Sequence, residues 1–329
     1  MNRDAIRDKA LGCLAGGLIG DAMGAPVEGW RYDRIIAEKG YINDFEGGGT
    51  DDSIIKLILC EALIENGGHA SADEFAEAFL RHSDDYNWFF VPVRNMFHKI
   101  QDGHTLPVDA GRDNTASSSS AMAIAPIGIV NACDPRTAAA EAYEAAGLIH
   151  SGCCGFCRDG ASAIAAAVAE AFIPYVNVDS VLDAASAYLH KKSAAEMRGR
   201  IADTLALARR SGGFEPFREL YYKNIHMYNT ICDSRETVPV ALAAFYLSGG
   251  DVRRAVEYGA NFGRDADTIA TMSGAIAGAF AGAGRIEKQW LEKVLNNNGR
   301  QGQLADKMTD LISKRYRVRA ATQTMIDSI

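Results

Sequence analysis

Apolar residues recur every three to four positions along most of this chain, which is the spacing of one face of an α-helix. Stretches in which apolar and polar residues alternate, as they do in β-strands, are nearly absent. We therefore predict an all-α protein. The predicted helices cover residues 4–19, 53–65, 71–81, 134–150, 160–172, 179–191, 194–210, 238–248, 252–261, 267–281, 289–295 and 304–315.

Local signals mark several ends of these helices. Asn66, Gly67 and Gly68 form a stop after the helix at 53–65. Ser71 followed by Glu74 is the pattern of a capping box, which starts the next helix. Residues 20–26 contain two glycines and a proline, so we predict that they break the first helix.

The length of 329 residues suggests about two domains as a soft prior. However, no shift in composition marks a linker, and no repeat of fixed period is evident. Helices rich in alanine and glycine can approach one another closely, which favours a compact body. We therefore predict a single domain that spans residues 1–329.

Composition narrows the functional classes. The net charge of −8 and the pI near 5.4 argue against a nucleic-acid partner. The first residues are charged and helix-like rather than a secretory signal, and the longest apolar stretch, 269–284, is short for a membrane span. Seven cysteines are an odd number for a disulfide scaffold. We expect a cytoplasmic protein with no nucleic-acid or membrane partner.

Cys153, Cys154 and Cys157 lie close together, but no second cysteine pair or suitably spaced histidine completes a zinc site. We interpret these three cysteines as small buried residues near a helix start.

Two short acidic clusters carry the strongest chemical signal. One covers residues 49–53 (Gly-Thr-Asp-Asp-Ser) and the other residues 263–268 (Gly-Arg-Asp-Ala-Asp-Thr), and each precedes a long apolar helix. Acidic residues often stand at helix starts as simple caps, because the first turn has unpaired N–H groups and a partial positive charge. Two near-matching clusters also fit divalent metal binding, since oxygen ligands favour Mg²⁺, Mn²⁺ or Ca²⁺ over zinc.

These segments also resemble a known family. Residues 12–28, Gly-Cys-Leu-Ala-Gly-Gly-Leu-Ile-Gly-Asp-Ala-Met-Gly-Ala-Pro-Val-Glu, resemble the opening motif of the ADP-ribosylglycohydrolases. Residues 50–53 resemble the first metal motif of that family, and residues 261–268, Asn-Phe-Gly-Arg-Asp-Ala-Asp-Thr, resemble its second. The resemblance runs in the right order from about residue 5 to residue 285.

The resemblance implies a compact, single-domain orthogonal helical bundle of the ADP-ribosylglycohydrolase type that binds two Mg²⁺ or Mn²⁺ ions. Glu28 matches the glutamate thought to act in catalysis in this family, and we count Asp51 with it as a catalytic residue as well as a ligand. The implied metal ligands are Thr50, Asp51, Asp52, Asp265, Asp267 and Thr268.

The chain departs from the family at the loop of the type Gly-Asn-Gly-x-x-Met-Arg that lies against the substrate. Here residues 117–120 are four serines, and Ala123 stands at the arginine position. By correspondence, the loop residues expected to contact substrate are Ser118, Ser119, Ser120 and Met122. The alternative is a polar loop that caps a helix.

Four further residues are expected near the substrate: His150, Asn261, Gly263 and Arg264. His150 resembles a family histidine near the pocket, although a histidine at a helix end is also typical of a C-cap. Arg264 replaces the glycine of many members, and it either supplies positive charge or pairs with a carboxylate. The aromatic run at residues 88–90 is more typical of a core than of base stacking.

The leading hypothesis is a metal-dependent hydrolase that cleaves an N- or O-glycosidic ADP-ribosyl bond at ribose C1″ with a metal-oriented water. Its substrate would be an ADP-ribosylated protein or a small ADP-riboside or riboside. The alternative on the same scaffold is an N-ribosyl hydrolase for a smaller, nucleoside-like compound. A third hypothesis, a non-catalytic ADP-ribose-binding or crystallin-like relative, predicts eroded metal ligands, whereas all of them are present here.

Overall fold

The structure is a computed structural model that describes residues 2–225, 227–298 and 300–329. The first nine α-helices are α1 Arg3–Gly24, α2 Tyr32–Lys39, α3 Asp51–Glu65, α4 Ala72–Arg81, α5 Val91–Gln101, α6 Pro107–Ala110, α7 Ser119–Met122, α8 Ala125–Val130 and α9 Pro135–Ala145. The others are α10 Gly155–Ala171, α11 Val178–Ala187, α12 Ala195–Ser211, α13 Phe214–Asn224, α14 Ser234–Ser248, α15 Val252–Phe262, α16 Ala266–Ala281, α17 Lys288–Asn298 and α18 Arg300–Asp327. Short 3₁₀ turns cover Ala25–Val27, Ser83–Trp88, Ala146–Leu148, Gly152–Cys154 and Ala283–Arg285.

The predicted all-α class is confirmed. Two isolated backbone bridges, Arg31 with Gly263 and Arg112 with Ser151, are the β-type pairings in the described part of the chain, and neither extends into a strand. One continuous apolar core runs from α1 to α18. The predicted capping box is also present, because Ser71 and Glu74 satisfy each other's backbone amides at the start of α4.

The centre of the fold is an antiparallel pair, α1 and α16, whose backbones touch. A Cβ atom on Gly278 would lie 1.9 Å from the carbonyl oxygen of Gly12, and one on Gly16 would lie 2.3 Å from that of Gly274. No side chain fits at such distances, so glycine is required at these positions. Because the two helices are antiparallel, the C-terminal end of α1 lies beside the N-terminal end of α16.

The predicted break at residues 20–26 is wrong, because α1 continues to Gly24. A Cβ on Gly20 would lie 2.1 Å from the carbonyl oxygen of Ala270, and one on Gly24 would lie 2.3 Å from the Cα of Asp267. The glycines therefore permit close helix contact and do not end the helix. The sequence rule for breakers gave the opposite answer because it ignores tertiary contact.

Sequence reasoning missed α2, α5 and α13 among the longer helices. Pro92 and Pro216 lie within the first turns of α5 and α13. Proline is tolerated in a first turn, because its missing N–H has no partner in the helix there.

The helix that includes residues Arg3–Val27 is long and apolar enough to cross a membrane by length and composition. However, 89% of its most apolar window is buried inside the fold. In this fold, the apolar residues of the helix pack inside the protein, where the helix contacts α16.

Candidate active site

The two acidic clusters lie side by side, at the N-termini of α3 and α16. Thr50 caps α3, and its hydroxyl oxygen accepts a hydrogen bond from the amide of Asp52 at 3.3 Å. Asp265 occupies the N-cap position of α16. The hydroxyl of Thr268 donates to Oδ2 of Asp52 at 3.4 Å, although 216 residues separate them in the sequence. The structure thus brings together the two segments that were expected to share a site.

Asp21, near the end of α1, is a fully buried carboxylate that sequence reasoning missed. Its Oδ1 accepts the amide and the hydroxyl of Thr50, both at 2.9 Å. Its Oδ2 accepts the amide of Ser53 at 3.0 Å and the hydroxyl at 2.5 Å. Asp21 therefore fixes the start of α3 against the end of α1. The four-residue spacing of Gly12, Gly16, Gly20 and Gly24 was the available signal, because it indicates one helix face rather than a break.

Glu28 is held beside the second cluster by backbone hydrogen bonds. The amide of Gly29 donates to the carbonyl of Arg264 at 2.7 Å, and the amide of Arg264 donates to the carbonyl of Trp30 at 2.6 Å. Carboxylate oxygens of Glu28, Asp265 and Asp267 all lie within 4.8 Å of one another. This three-carboxylate group lies at the N-terminus of α16.

Burial and mutual repulsion raise the pKa values of the carboxyl groups here. Burial raises the pKa of Asp51 to about 6 and that of Asp265 to about 7. Burial, together with the charge of Asp267, raises the pKa of Asp52 well above its ordinary value. The pKa of Asp267 rises through burial and the charge of Asp265, and that of Glu28 rises through burial and the charge of Asp21. Such a cluster favours either protons or a cation.

The residues present fit a divalent cation. Oδ1 of Asp52 and Oδ1 of Asp267 are buried oxygens with no hydrogen-bond partner. A buried carboxylate oxygen without a partner is costly, whereas hard cations bind such oxygens directly. The two oxygens come from two helices, one from the start of α3 and one from the start of α16. They are the atoms that Mg²⁺ or Mn²⁺ would satisfy.

The carboxylates surround a cavity of about 80 Å³. Its walls come from the starts of α3 and α16, from α7, from the Glu28 loop and from the segments before α5 and α14. The lining residues are Glu28, Asp51, Asp52, Phe90, Ser118, Ser119, Met122, Ile231, Cys232, Asp265, Asp267 and Thr268. A space of this size holds ions, waters and part of one sugar, so a larger substrate must extend outward.

Comparison with known families decides what this chain is. The family profile of the ADP-ribosylglycohydrolases matches residues 2–322. The chain belongs to the ADP-ribosylglycohydrolase family. Membership supports hydrolysis of an ADP-ribosyl linkage as its reaction class.

Two relatives and one solved structure show how far the similarity reaches. The protein YegU of Escherichia coli is 28% identical over 306 residues, which cover 85% of this chain and 90% of YegU. The ADP-ribosylhydrolase ARH3 of Gallus gallus is 24% identical over 323 residues, which cover 85% of this chain and 87% of ARH3. The fold matches that of an ADP-ribosylglycohydrolase-related protein complex with a TM-score of 0.71 and 22% identity, over 94% of this chain and 99% of that one.

The loop of four serines at residues 117–120 uses most of its hydroxyls in hydrogen bonds to other parts of the protein. Ser118 donates to Oδ2 of Asp265 at 2.8 Å and so contacts a candidate metal ligand directly. Ser117 donates to Ser119 at 2.9 Å. The hydroxyl of Ser234 donates to the carbonyl of Ser117 and ties the loop to α14. Of the four loop serines in this ADP-ribosylglycohydrolase, Ser118 and Ser119 line the cavity.

His150 is fully buried behind the serine loop and does not line the cavity. Its Nδ1 lies 2.6 Å from the hydroxyl of Ser120, and its Nε2 lies 3.1 Å from that of Ser117. Burial lowers the pKa of His150 to about 4, so the ring is neutral at pH 7. His150 and Ser120 therefore support the loop from behind, and neither lines the cavity.

Asn261, Gly263 and Arg264 also lie outside the cavity wall. The side chain of Asn261 accepts the amide of Ile42 at 2.9 Å and donates to the carbonyl of Ile42 at 2.7 Å. The guanidinium of Arg264 pairs with the buried Glu236 and not with an aspartate of the cluster. The bonds of Asn261 and Arg264 hold loops in place, and the predicted substrate contacts of these three residues stay predictions.

Gly263 has a positive φ of 84°, and a Cβ there would lie 2.6 Å from the carbonyl oxygen of Trp30. Its role is therefore to let the Glu28 loop approach the second cluster. Met122, the last expected loop residue, does line the cavity, where its sulfur lies 3.9 Å from the hydroxyl oxygen of Thr268.

The cavity also includes three residues that sequence reasoning had not placed there, Phe90, Ile231 and Cys232. The amide of Phe90 donates to Oδ2 of Asp51 at 3.2 Å. Interpreting residues 88–90 as core is wrong for two of them, since Trp88 and Phe90 are 62% and 44% exposed. Only the neighbouring Phe89 is buried. Position along the chain gave no signal for Ile231 or Cys232.

Proposed function

We propose that this ADP-ribosylglycohydrolase cleaves an N- or O-glycosidic ADP-ribosyl bond at ribose C1″ and that it depends on two divalent ions, Mg²⁺ or Mn²⁺. The observation that supports metal dependence best is the pair of buried, unpartnered oxygens on Asp52 and Asp267. They face the same cavity from two helices that are remote in sequence.

The proposed ligands are those that the family motifs imply. Asp51 and Asp52 stand at the start of α3, and Asp265, Asp267 and Thr268 at the start of α16. Thr50 is the N-cap of α3 and does not line the cavity. When bound, such ions supply positive charge that orients ribose hydroxyls and activates water. The raised pKa values of Asp51 and Asp265 support this assignment, because a nearby cation would favour the charged form of each carboxylate.

Glu28 is the proposed general base. Its loop is fixed by the Gly29 and Trp30 backbone bonds, and its carboxylate lies among those of Asp265 and Asp267. Burial and the charge of Asp21 raise the pKa of Glu28, which increases its affinity for a proton. We assign Glu28 to accept a proton from the attacking water while the water oxygen bonds to C1″. The C1″ bond to the leaving group breaks with its electron pair going to the leaving group, which takes up a proton from solvent, and Glu28 releases its own proton to solvent.

The remaining carboxylates also favour this reaction. Cleavage at an anomeric carbon passes through a state with positive charge on the ring, which nearby negative charge stabilises. Asp51, which we count as catalytic, lines the same cavity as Glu28. General-base assistance of this kind is typically worth about 10²–10⁴-fold.

The direct test is release of ADP-ribose from a panel of ADP-ribosylated proteins and small ADP-ribosides, with and without Mg²⁺ or Mn²⁺. We expect turnover of at least one substrate, lost on chelation and restored by metal. Equal rates after complete metal removal would contradict the metal-dependent form of the proposal.

A second candidate, an N-ribosyl hydrolase for a smaller nucleoside-like substrate, is favoured by the serine loop. Ser117 and Ser120 are already bonded to His150, and Ala123 offers no cation for a diphosphate. Release of free ribose, and not of ADP-ribose, from the same panel would select this candidate. A non-catalytic relative is disfavoured, because every expected metal ligand and Glu28 is retained. The cytoplasmic location and the absence of nucleic-acid and membrane partners stay predictions.

A further inference from the structure

The turn that leads into the second acidic cluster is held by hydrogen-bond donors from another helix. Helix α15 ends at Phe262, and Gly263 and Arg264 then adopt positive φ values of 84° and 60°. The last carbonyls of a helix have no partner within it, so they need donors from elsewhere. At this turn, those carbonyls lie within four residues of Asp265.

Helix α13 supplies the two donors. Nη1 of Arg218 donates to the carbonyl of Asn261 at 2.7 Å, and the hydroxyl of Tyr222 donates to the carbonyl of Phe262 at 2.9 Å. Residues four apart lie on the same helix face, so one face of α13 binds two consecutive carbonyls. Burial raises the pKa of Tyr222, which keeps its hydroxyl protonated as a donor.

Arg218 is unusual in its surroundings. It is only 4% exposed, and its Nε has no hydrogen-bond partner. Among the described residues it forms no salt bridge with a carboxylate, and its guanidinium packs over the rings of Tyr32 at 4.5 Å and Phe214 at 5.2 Å. Burying a cation with one carbonyl as its main partner is costly. In return, the guanidinium of Arg218 holds the Asn261 carbonyl in a fixed position.

The same face of α13 also contacts the Glu28 loop. The ring of Tyr32 packs edge-on against that of Tyr222 at 4.8 Å, and the guanidinium of Arg31 lies 4.8 Å above Tyr222. The loop is joined to the turn by the two backbone bonds of Gly29 and Arg264. Helix α13 therefore touches both segments that carry the three-carboxylate group.

We propose that Arg218 and Tyr222 are positioning residues that hold the turn at 261–265 so that Asp265 and Asp267 present their carboxylates to a divalent cation. This inference rests on the proposed metal site. Partners behind metal ligands typically change metal affinity by about 10–100-fold when they are removed. Neither residue lines the cavity, so neither is expected to contact substrate.

The test is a titration of metal-free full-length protein with Mn²⁺. The concentration of free Mn²⁺ is measured at each step from its electron paramagnetic resonance signal. We expect Tyr222→Phe and Arg218→Met each to raise the Kd for Mn²⁺ by about tenfold or more. Arg218→Lys, which keeps a donor, should recover part of that loss.

Two control variants separate positioning from general stability. Tyr316→Phe removes a hydroxyl that donates to the carbonyl of Ala132, and Arg198→Met removes a guanidinium that donates to the carbonyl of Ser186. Both should lower the melting temperature without changing the Kd for Mn²⁺. An unchanged Kd in folded Tyr222→Phe would overturn the positioning role alone, whereas failure of the unmodified protein to bind Mn²⁺ would overturn the proposed function with it.

Discussion

Replacing Asp265 by asparagine should stabilise the metal-free protein. Asp265 is buried, and burial raises the pKa of its carboxyl to about 7 from an ordinary 3.8. A raised carboxyl pKa means that the folded protein holds a proton that the unfolded chain releases. The stability from this group is therefore full below pH 3.8 and is lost as the pH rises through about 7. Asparagine is neutral at every pH and avoids that loss.

The magnitude follows from the size of the shift. At about 1.4 kcal/mol per pKa unit, the lost stability is about 4 kcal/mol at pH 8 and about 2 kcal/mol at pH 5, relative to a pH at which Asp265 is protonated in both the folded and the unfolded states. For a chain of 329 residues, 4 kcal/mol corresponds to a rise of roughly 6 °C in melting temperature. The hydrogen bond from Ser118 survives, because asparagine keeps an acceptor oxygen.

The assay is thermal unfolding of chelator-treated protein at pH 5 and pH 8, repeated with saturating Mn²⁺. Metal binding stabilises the folded state by about 2.7 kcal/mol at one hundred times the Kd, and the variant lacks a proposed ligand. The advantage of Asp265→Asn should therefore shrink or reverse with Mn²⁺. Asp306→Asn is the control, because Arg7 lowers the pKa of the Asp306 carboxyl and its loss should lower the melting temperature slightly. A metal-free Asp265→Asn protein that melts at or below the unmodified protein at pH 8 would refute the reasoning.

Three further predictions concern turnover and packing. Asp51→Asn and Asp267→Asn should abolish turnover and leave the helical circular dichroism unchanged; full rates in metal-depleted Asp267→Asn would contradict this. Glu28→Gln should bind Mn²⁺ and substrate with near-normal Kd values but turn over about 10²–10⁴-fold more slowly, and normal kcat would remove Glu28 from the mechanism. Gly278→Ala should lower the free energy of unfolding by about 3 kcal/mol or more, because its Cβ would lie 1.9 Å from a backbone oxygen of α1. Gly199→Ala, at an open helical position, should instead be neutral or stabilising in chemical denaturation.

Much of the fold was predictable because it rests on periodicity. Helices α3 and α16 were placed within two residues of their observed starts, and their acidic first turns gave the site. The capping box at Ser71 shows the same strength of short-range signals. These features depend on neighbours in sequence, which a single chain displays directly.

The errors came from contacts between remote segments. Gly20 and Gly24 were taken as breakers, because nothing local shows that Ala270 and Asp267 lie against them. That error hid Asp21, whose carboxylate binds Thr50 in another helix.

Phe90, Ile231 and Cys232, which line the cavity, were missed for a similar reason. Cys232 belongs to a segment with no periodicity and no motif, and it reaches the cavity only through tertiary packing. The resemblance of residues 261–268 to a metal motif also assigned Asn261 and Arg264 to substrate. Their bonds to Ile42 and Glu236 became visible only in the fold.

The glycine contact between α1 and α16 has a consequence for how this scaffold can change during evolution. Where main chain rests on main chain, there is no side chain whose replacement would allow the two helices to slide by a small step. Asp21 and Asp267 lie at the ends of these two helices, so their separation is inherited with the contact. New substrate preferences are therefore expected to arise in other parts of the cavity wall, such as Phe90 and Cys232, where substitutions leave that separation intact.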